Sequence, residues 1–196
     1  MQVHYSLIFH LPEAIVFWIV FIWVFIPEVR LIRRTVRAPK SPQDASTINT
    51  IRYWGQLAFF SSFVVSFFPW LLLPWQFTFF VFGTCFLIVG GILRRVCFRT
   101  LGEYFTGAII VKKDQTVIDK GPYRWVRHPS YTAGFIVDLG VGFALGSWIS
   151  VLFLFAMPCF IYARRVRAEE KALLETIGEP YRVYMARTKR FIPFVV

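Results

Sequence analysis

Apolar residues run through this chain in long unbroken stretches, and the polar residues collect between them. A hydrocarbon core about 30 Å thick is crossed by a helix of about 20 mainly apolar residues. The first such stretch covers about Leu11 to Pro27, begun as early as Leu7, and runs into the basic series Arg30, Arg33, Arg34, Arg37 and Lys40. The segment Ala38 to Asn49, with Pro39, Ser41, Pro42, Asp44 and Ser46, reads as a solvent loop. A second span is predicted over about Tyr53 to Leu73 and a third over about Trp75 to Leu93, with only Pro74 between them and Trp70 and Trp75 as interfacial anchors. From Arg94 the chain stays polar until His128, apart from the short apolar patch Ala108 to Val111. A fourth span follows from Pro129 to Gly146 and a fifth from Ser147 to Ala163, meeting at Gly146-Ser147-Trp148. The charged stretch Arg164 to Arg190 continues the fifth helix until Gly178-Glu179-Pro180 breaks it. The pattern predicts an all-α integral membrane protein with about five transmembrane helices and no internal repeat.

Charge orients these spans. All 22 Lys and Arg residues fall in three patches: none precedes Arg30, none lies between Arg52 and Arg94, and none between Arg127 and Arg164. Basic residues near span ends stay on the cytoplasmic side. The N-terminus is therefore expected outside and the C-terminus in the cytoplasm. The membrane would be the plasma membrane in a prokaryotic host and the endoplasmic reticulum in a eukaryotic one. A net charge of +11 interleaved with spans points to orientation and to anionic headgroups, not to nucleic acid. Composition agrees, since a soluble core of 196 residues could not hide 57% hydrophobic and 19% aromatic residues. No cleaved signal peptide is expected, because the first residues lack a basic n-region and a small-residue cleavage site. Cys85, Cys97 and Cys159 carry no disulfide or metal spacing, the three histidines are scattered, and no metal site is expected. Asp138 is the one acidic residue deep in a span, whereas a channel or transporter places several polar groups there. Polar chemistry concentrates instead in Lys112 to Tyr131 and Arg164 to Tyr184. The sequence therefore predicts an enzyme whose active site faces the cytoplasm.

Two constellations carry that chemistry. In Gly121-Pro122-Tyr123-Arg124-Trp125-Val126-Arg127-His128-Pro129-Ser130-Tyr131, Gly-Pro makes a turn and His-Pro sets an extended residue just before a helix. His128 is thereby held at a span's N-terminus, where the helix dipole favours a carboxylate ligand. Arg, Trp and Tyr also serve as plain headgroup anchors at such a position. The second is Arg164-Arg165-Val166-Arg167-Ala168-Glu169-Glu170, in which Arg165 and Glu169 share a helix face where the fifth span leaves the membrane. An exposed helix commonly carries such a pair as a simple surface ion pair.

Gly121-Pro122-Tyr123, then Arg127-His128-Pro129-Ser130-Tyr131 and Gly134, resemble the signature of isoprenylcysteine carboxyl methyltransferases, a group related to phospholipid N-methyltransferases. The resemblance continues through Glu169-Glu170, Leu173, Gly178, Tyr181, Tyr184 and Ile192-Pro193, about Lys112 to Phe194 in all. It implies S-adenosylmethionine as methyl donor, leaving S-adenosylhomocysteine, bound in a cytoplasmic region of the C-terminal part without a Rossmann domain. No G-x-G-x-x-G is present. Carried over, the cofactor pocket is Gln115, Thr116, Val117, Ile118, Gly121, Pro122, Tyr123, His128, Pro129, Tyr131 and Glu170. Arg165 and Glu169 are the catalytic pair. Many members have His where this chain has Gln115, which forms hydrogen bonds but does not titrate near neutrality.

Residues 1–100, three spans without a chemical motif, are expected to act as a scaffold or as a dimer surface, and residues 101–196 as the catalytic region. The resemblance further implies a lipophilic substrate, with a prenylcysteine-like carboxyl group. A carboxylate is already ionised at pH 7, so methyl transfer to it needs positioning rather than a base. Arg165 would orient the carboxylate and Glu169 would hold Arg165 or accept from the cofactor's ammonium, with His128 and Tyr131 on the methionine part. An amine acceptor would instead need Glu169 or Glu170 as base. Tyr131, Gly134 and Asp138 share a face of the fourth span that either lines a substrate groove or packs on a neighbouring helix, as Gly142-x-x-x-Gly146 would. Lipid-amine and small-thiol acceptors remain open, as does a non-enzymatic scaffold or ion-conducting protein; the oligomeric state is undetermined.

Overall fold

The computed structural model describes residues 6–36, 51–105 and 115–192. The expected loop 38–49, the patch 108–111 and Pro193 lie outside the described residues. Among the described residues every regular element is helical, and the β-bridges Leu72–Ser147 and Val126–Lys189 are isolated.

Helix α1 (Glu13–Val36) runs straight through Pro27, where the first span was expected to end. Proline removes one amide donor, but apolar surroundings favour a helix that satisfies its remaining backbone groups internally. After a π-turn at Ile51–Gly55, α2 (Gln56–Val65) is only ten residues long. At 1.5 Å per residue that is about 15 Å, half of a hydrocarbon core. The second span was expected to reach Leu73, and two local features stop it. Ser66 Oγ donates to the Phe63 carbonyl at 2.7 Å. Pro69 holds Phe68 extended and opens the 3-10 turn Pro69–Leu71.

Helix α3 (Gln76–Leu101) continues about two turns past the expected end at Leu93, taking Arg94, Arg95 and Arg99 with it. Helix α4 (Pro129–Leu145) begins at proline and ends at Gly146, whose φ of 65° is the left-handed cap that glycine adopts without strain. Helix α5 (Trp148–Ile177) has 30 residues, so it emerges well beyond the hydrocarbon before Gly178 ends it. The short α6 (Glu179–Arg187) then turns back. Helix α5 and the stretch Gln76–Tyr104 are long and apolar enough to cross a membrane, while α4 is shorter.

Helices α3 and α4 meet along a seam of small residues. A Cβ on Gly83 would lie 2.3 Å from the Ala144 nitrogen, and one on Gly140 would lie 2.7 Å from the Leu87 nitrogen. Lipid tails are as apolar as Leu, so close backbone approach supplies the attraction that water would otherwise drive. Gly142 packs the other side of α4 on α5, where a Cβ would lie 3.0 Å from Val151 Cα, whereas its partner in the predicted glycine pair, Gly146, faces Gln76. Phe17, Val24, Phe80, Leu87, Val137, Val141 and Leu145 form the core around this seam. Ile15, Ile19, Ile22, Phe60, Phe82, Val89, Leu152 and Phe155 point outward, the arrangement expected where the surroundings are lipid.

The two hairpin turns at one end of the bundle are joined. The Leu73 amide donates to the Gly146 carbonyl at 2.8 Å, and Gln76 Nε2 donates to the Leu73 and Gly146 carbonyls at 2.6 and 2.9 Å. The opposite end is where polar residues gather. Because the α3–α4 contact leaves no room for a side chain, Gly83→Leu is expected to destabilise the protein by ~3 kcal/mol. Its melting temperature in detergent should fall clearly below that of Gly178→Ala, a substitution in open space despite its positive φ.

Candidate active site

The turn before α4 and the tail after α6 lie side by side. Arg127 and His128 donate their amides to the carbonyls of Lys189 (2.7 Å) and Arg190 (2.9 Å). Thr132 Oγ1 reaches the Phe191 carbonyl at 2.9 Å, and the Tyr184 hydroxyl donates to the Tyr123 carbonyl at 2.6 Å. These bonds fasten α6 and the tail onto the Gly121–Arg124 turn and the first turn of α4. His128 sits at the N-cap and Pro129 at the first helical position, as the His-Pro pair predicts.

Glu170 of α5 sits beneath that junction, 4% exposed. Its Oε1 accepts from Arg127 Nε at 3.0 Å and lies 3.3 Å from His128 Nε2; its Oε2 accepts from Arg190 Nη2 at 2.8 Å and Nε at 3.1 Å. A carboxylate only accepts, so Nε2 of His128 carries the hydrogen. Arg127 Nη1 also donates to the Met185 carbonyl at 2.9 Å and to that of Thr188. Burial would raise the Glu170 pKa, but the bonds from His128, Arg190 and Arg127 outweigh it and hold the group at about 2, below the ordinary 4.5.

One turn away lies a second chain of contacts. Arg165 Nε donates to the Tyr131 hydroxyl at 2.7 Å, and that hydroxyl donates to Glu169 Oε2 at 2.7 Å. Arg165 is 5% exposed and His128 3%, and the rings of His128 and Tyr131 stand 5.7 Å apart. The sequence suggested that Glu169 holds Arg165; the structure inserts the Tyr131 hydroxyl between them. Glu169 Oε1 and His128 Nδ1 have no hydrogen-bond partner among the described residues.

The expected residues therefore divide. His128, Tyr131, Arg165, Glu169 and Glu170 come together. Pro129 is buried at the head of α4, and Tyr123 is buried against α6. Gly121 and Pro122 shape the turn that carries Tyr123. Gln115, Thr116, Val117 and Ile118 form an irregular, partly exposed approach. Among the described residues, Thr116, Val117 and Ile118 make no hydrogen bond to this constellation. That approach is tied to α6 by Arg187 Nη2 and Asp119 Oδ2 at 2.6 Å.

Sequence reasoning missed Arg127, Arg190, Glu28 and Arg94. Arg94 Nη1 donates to the Ser130 carbonyl at 2.7 Å, while Nη2 donates to Glu28 Oε2 at 2.9 Å and Nε to Glu28 Oε1. Arg95 stacks over Trp23, 3.6 Å from the ring centroid. Helices α1 and α3 thus reach the turn that carries His128 and Tyr131. A glutamate at the end of an apolar span is a signal that was present and not used. Gly134 is closed off, because a Cβ there would meet the Tyr162 hydroxyl at 2.8 Å and Arg94 Nη1 at 3.2 Å. Asp138 accepts from Tyr162 at 3.4 Å. The α4 face thus packs on a neighbouring helix here, the second of its two readings.

Residues 82–175 match the isoprenylcysteine carboxyl methyltransferase (ICMT) family. Protein-S-isoprenylcysteine O-methyltransferase B of Arabidopsis thaliana is 31% identical over 153 residues, covering 77% of this chain and 73% of the plant protein. The Saccharomyces cerevisiae protein-S-isoprenylcysteine O-methyltransferase is 33% identical over 118 residues, 59% of this chain. The match spans about half the length of that yeast protein and of its Schizosaccharomyces pombe counterpart, 49% and 48%. The structure of the eukaryotic intramembrane Ras methyltransferase ICMT superposes with a TM-score of 0.60 at 22% identity, over 96% of this chain and 70% of that one.

The depressed Glu170 pKa sets a pH dependence. Its folded value lies below its unfolded one, so the stability it contributes is present above about pH 4.5 and is lost as pH falls toward 2. Glu170→Gln should destabilise the protein at pH 7 by ~3 kcal/mol, through the buried Arg127 that it strands. It should also flatten the acid limb of melting temperature against pH. An unchanged acid limb in Glu170→Gln would place the stabilising charge elsewhere.

Proposed function

This chain belongs to the isoprenylcysteine carboxyl methyltransferase family, and on that premise we propose that it methylates the carboxyl group of a prenylcysteine-like substrate at the membrane, with S-adenosylmethionine as donor. The observation that carries this reading is the Arg165–Tyr131–Glu169 bridge, buried beside the N-terminus of α4 and next to His128.

The side chains present fit such a donor. Its methionine part offers an ammonium and a carboxylate. Glu169 Oε1 is an acceptor with no other partner among the described residues, and the tautomer that places hydrogen on His128 Nε2 leaves Nδ1 as a second acceptor. The dipole at the head of α4 favours the carboxylate. When bound, the donor supplies a sulfonium methyl group, whose carbon–sulfur bond breaks as the carbon–oxygen bond to the acceptor forms.

The acceptor carboxylate arrives ionised, so the protein has no proton to remove. Arg165 presents a planar cation suited to a carboxylate, and Tyr131 and Glu169 keep its orientation. Burial of Arg165 and His128 keeps water away, which strengthens each of these electrostatic contacts. Glu170 acts as a positioning residue in this scheme: its oxygens are engaged by Arg127, His128 and Arg190, and its effect on the reaction passes through His128. Residues 115–118 border the donor, with Gln115 as a hydrogen-bonding group. Residues 1–100 form the scaffold that braces the site through Glu28 and Arg94, and residues 101–196 the catalytic region. Five apolar segments and three basic patches support an outside N-terminus, a cytoplasmic C-terminus and a cytoplasmic site.

Calorimetry of S-adenosylhomocysteine with the detergent-solubilised chain tests the donor site without a guess at the acceptor. Saturable binding should be lost in His128→Ala and Glu169→Ala. In turnover assays with a farnesylated cysteine derivative, Arg165→Ala should lower kcat about a hundredfold while changing donor affinity far less. Equal turnover in Arg165→Ala and parent would remove Arg165 from the reaction, and methylation of lipid amines in preference to the prenylcysteine would change the substrate class.

A further inference from the structure

A cleft of about 420 Å³ opens on the side of α5 away from the Arg165–Tyr131–Glu169 bridge. Arg167, Lys171 and Arg190 line it above an apolar floor of Leu174 and Met185. Arg167 follows Arg165 by two positions, a rotation of about 200°, so the two side chains leave α5 on opposite faces. Arg167, Glu170, Lys171 and Leu174 share one face at spacings of three and four.

The charge in this cleft is not balanced internally. Arg167 has no hydrogen bond or ion pair among the described residues. Lys171 meets Glu175 only at 3.8 Å, between side chains 72% and 55% exposed, a contact of little worth in water. Arg190 holds Glu170 yet keeps 43% of its side chain exposed. Glu170, which also lines the cleft, is shared between Arg190 at 2.8 Å and Arg127 at 3.0 Å. Three cations thus line one opening against two carboxylates, one of which is shared with Arg127 outside it.

Height along α5 matters as well. Arg164 is the first charge after the apolar part of the helix, and Arg167 stands about 4.5 Å further along. The polar layer on each side of a hydrocarbon core is about 5–7 Å thick. Arg167 therefore lies within that layer, and Lys171, about 10 Å past Arg164, stands just beyond it on the aqueous side. A guanidinium fork beside an ammonium suits a tetrahedral oxyanion, and the apolar floor suits the carbon chain attached to one.

We propose that this cleft binds a phosphate group, carried by a lipid headgroup or free in solution. The proposal stands apart from the methyl-transfer reading, and its test keeps the two separate. The detergent-solubilised full chain is titrated with inorganic phosphate, with dihexanoyl phosphatidylglycerol, and with dihexanoyl phosphatidylcholine as the zwitterionic control. Parent, R167Q/K171Q and R167K/K171R are compared, and S-adenosylhomocysteine affinity is measured on the same samples. Saturable binding of the anionic probe is expected, weakened roughly thirtyfold in R167Q/K171Q at low salt. It should be retained in R167K/K171R, with S-adenosylhomocysteine affinity equal in all three proteins. Binding of the anionic lipid alone identifies the headgroup as the source, and binding of inorganic phosphate shows that the free anion suffices. Three results overturn the proposal: no anion binding by the parent, equal binding by parent and R167Q/K171Q, or displacement of phosphate by S-adenosylhomocysteine, which would give the cleft to the methyl donor. Loss of S-adenosylhomocysteine affinity in the parent would fail the methyl-transfer reading and leave this one standing.

Discussion

Glu170 is a charged carboxylate withdrawn from water, and such a group is tolerated only when cations and hydrogen bonds replace its hydration. Arg127 and His128 come from the turn that starts α4, Arg190 from the tail after α6, and Glu170 itself from the part of α5 beyond the apolar stretch. Segments some twenty to forty residues apart in sequence are thereby held at one point. The backbone pairing of residues 126–128 with 189–190 runs alongside it. Removing this carboxylate would leave Arg127 buried without its ionic partner. The position of His128, and through the first turn of α4 that of Tyr131, depends on that one charge being satisfied.

A bilayer imposes a different constraint on the rest of the molecule. Helices there gain little from hiding apolar surface, so α3 and α4 are held by contact of backbones at Gly83, Gly90 and Gly140. Polar groups that leave water must find each other, and Glu28 and Arg94 do so at the cytoplasmic-side ends expected of α1 and α3. Because Arg94 also holds the Ser130 carbonyl, the supporting helices are mechanically part of the site. Through Glu28 and Arg94 the first three apolar segments help to fix where the turn before α4 lies.

Much of this was legible without coordinates. Apolar length located the stretches Gln76–Tyr104 and Trp148–Ile177, which are long and apolar enough to cross a membrane, because a core of about 30 Å sets a minimum run that few other structures need. The His-Pro start of α4, the glycine stop at Gly146 and the break at Gly178 were readable because proline and glycine constrain the backbone locally. Helix ends were less legible. Pro27 did not end α1, and Ser66 with Pro69 ended the second segment early, since hydropathy measures solvent preference and not backbone hydrogen bonding. The face shared by Arg165 and Glu169 was readable from spacing, but the hydroxyl that joins them was not. Tyr131 lies 34 residues from its donor and 38 from its acceptor.

The sequence alone determined that this chain is helical, how its apolar segments divide, which end of each carries positive charge, and which motifs hold the candidate chemistry. Each of these follows from short-range rules: helical spacing, solvent preference, and the backbone limits of single residues. Only the tertiary structure decided that Glu170 is enclosed by Arg127, Arg190 and the His128 ring, and that Glu169 instead lies on Tyr131. It alone showed that Glu28 and Arg94 brace the turn before α4, and that the Gly134 face is filled by Tyr162 and Arg94. Adjacent glutamates on a helix are separated by about 100°, so they meet different partners. Which partners those are depends on chain segments brought together over long sequence distances, and no local rule contains that information.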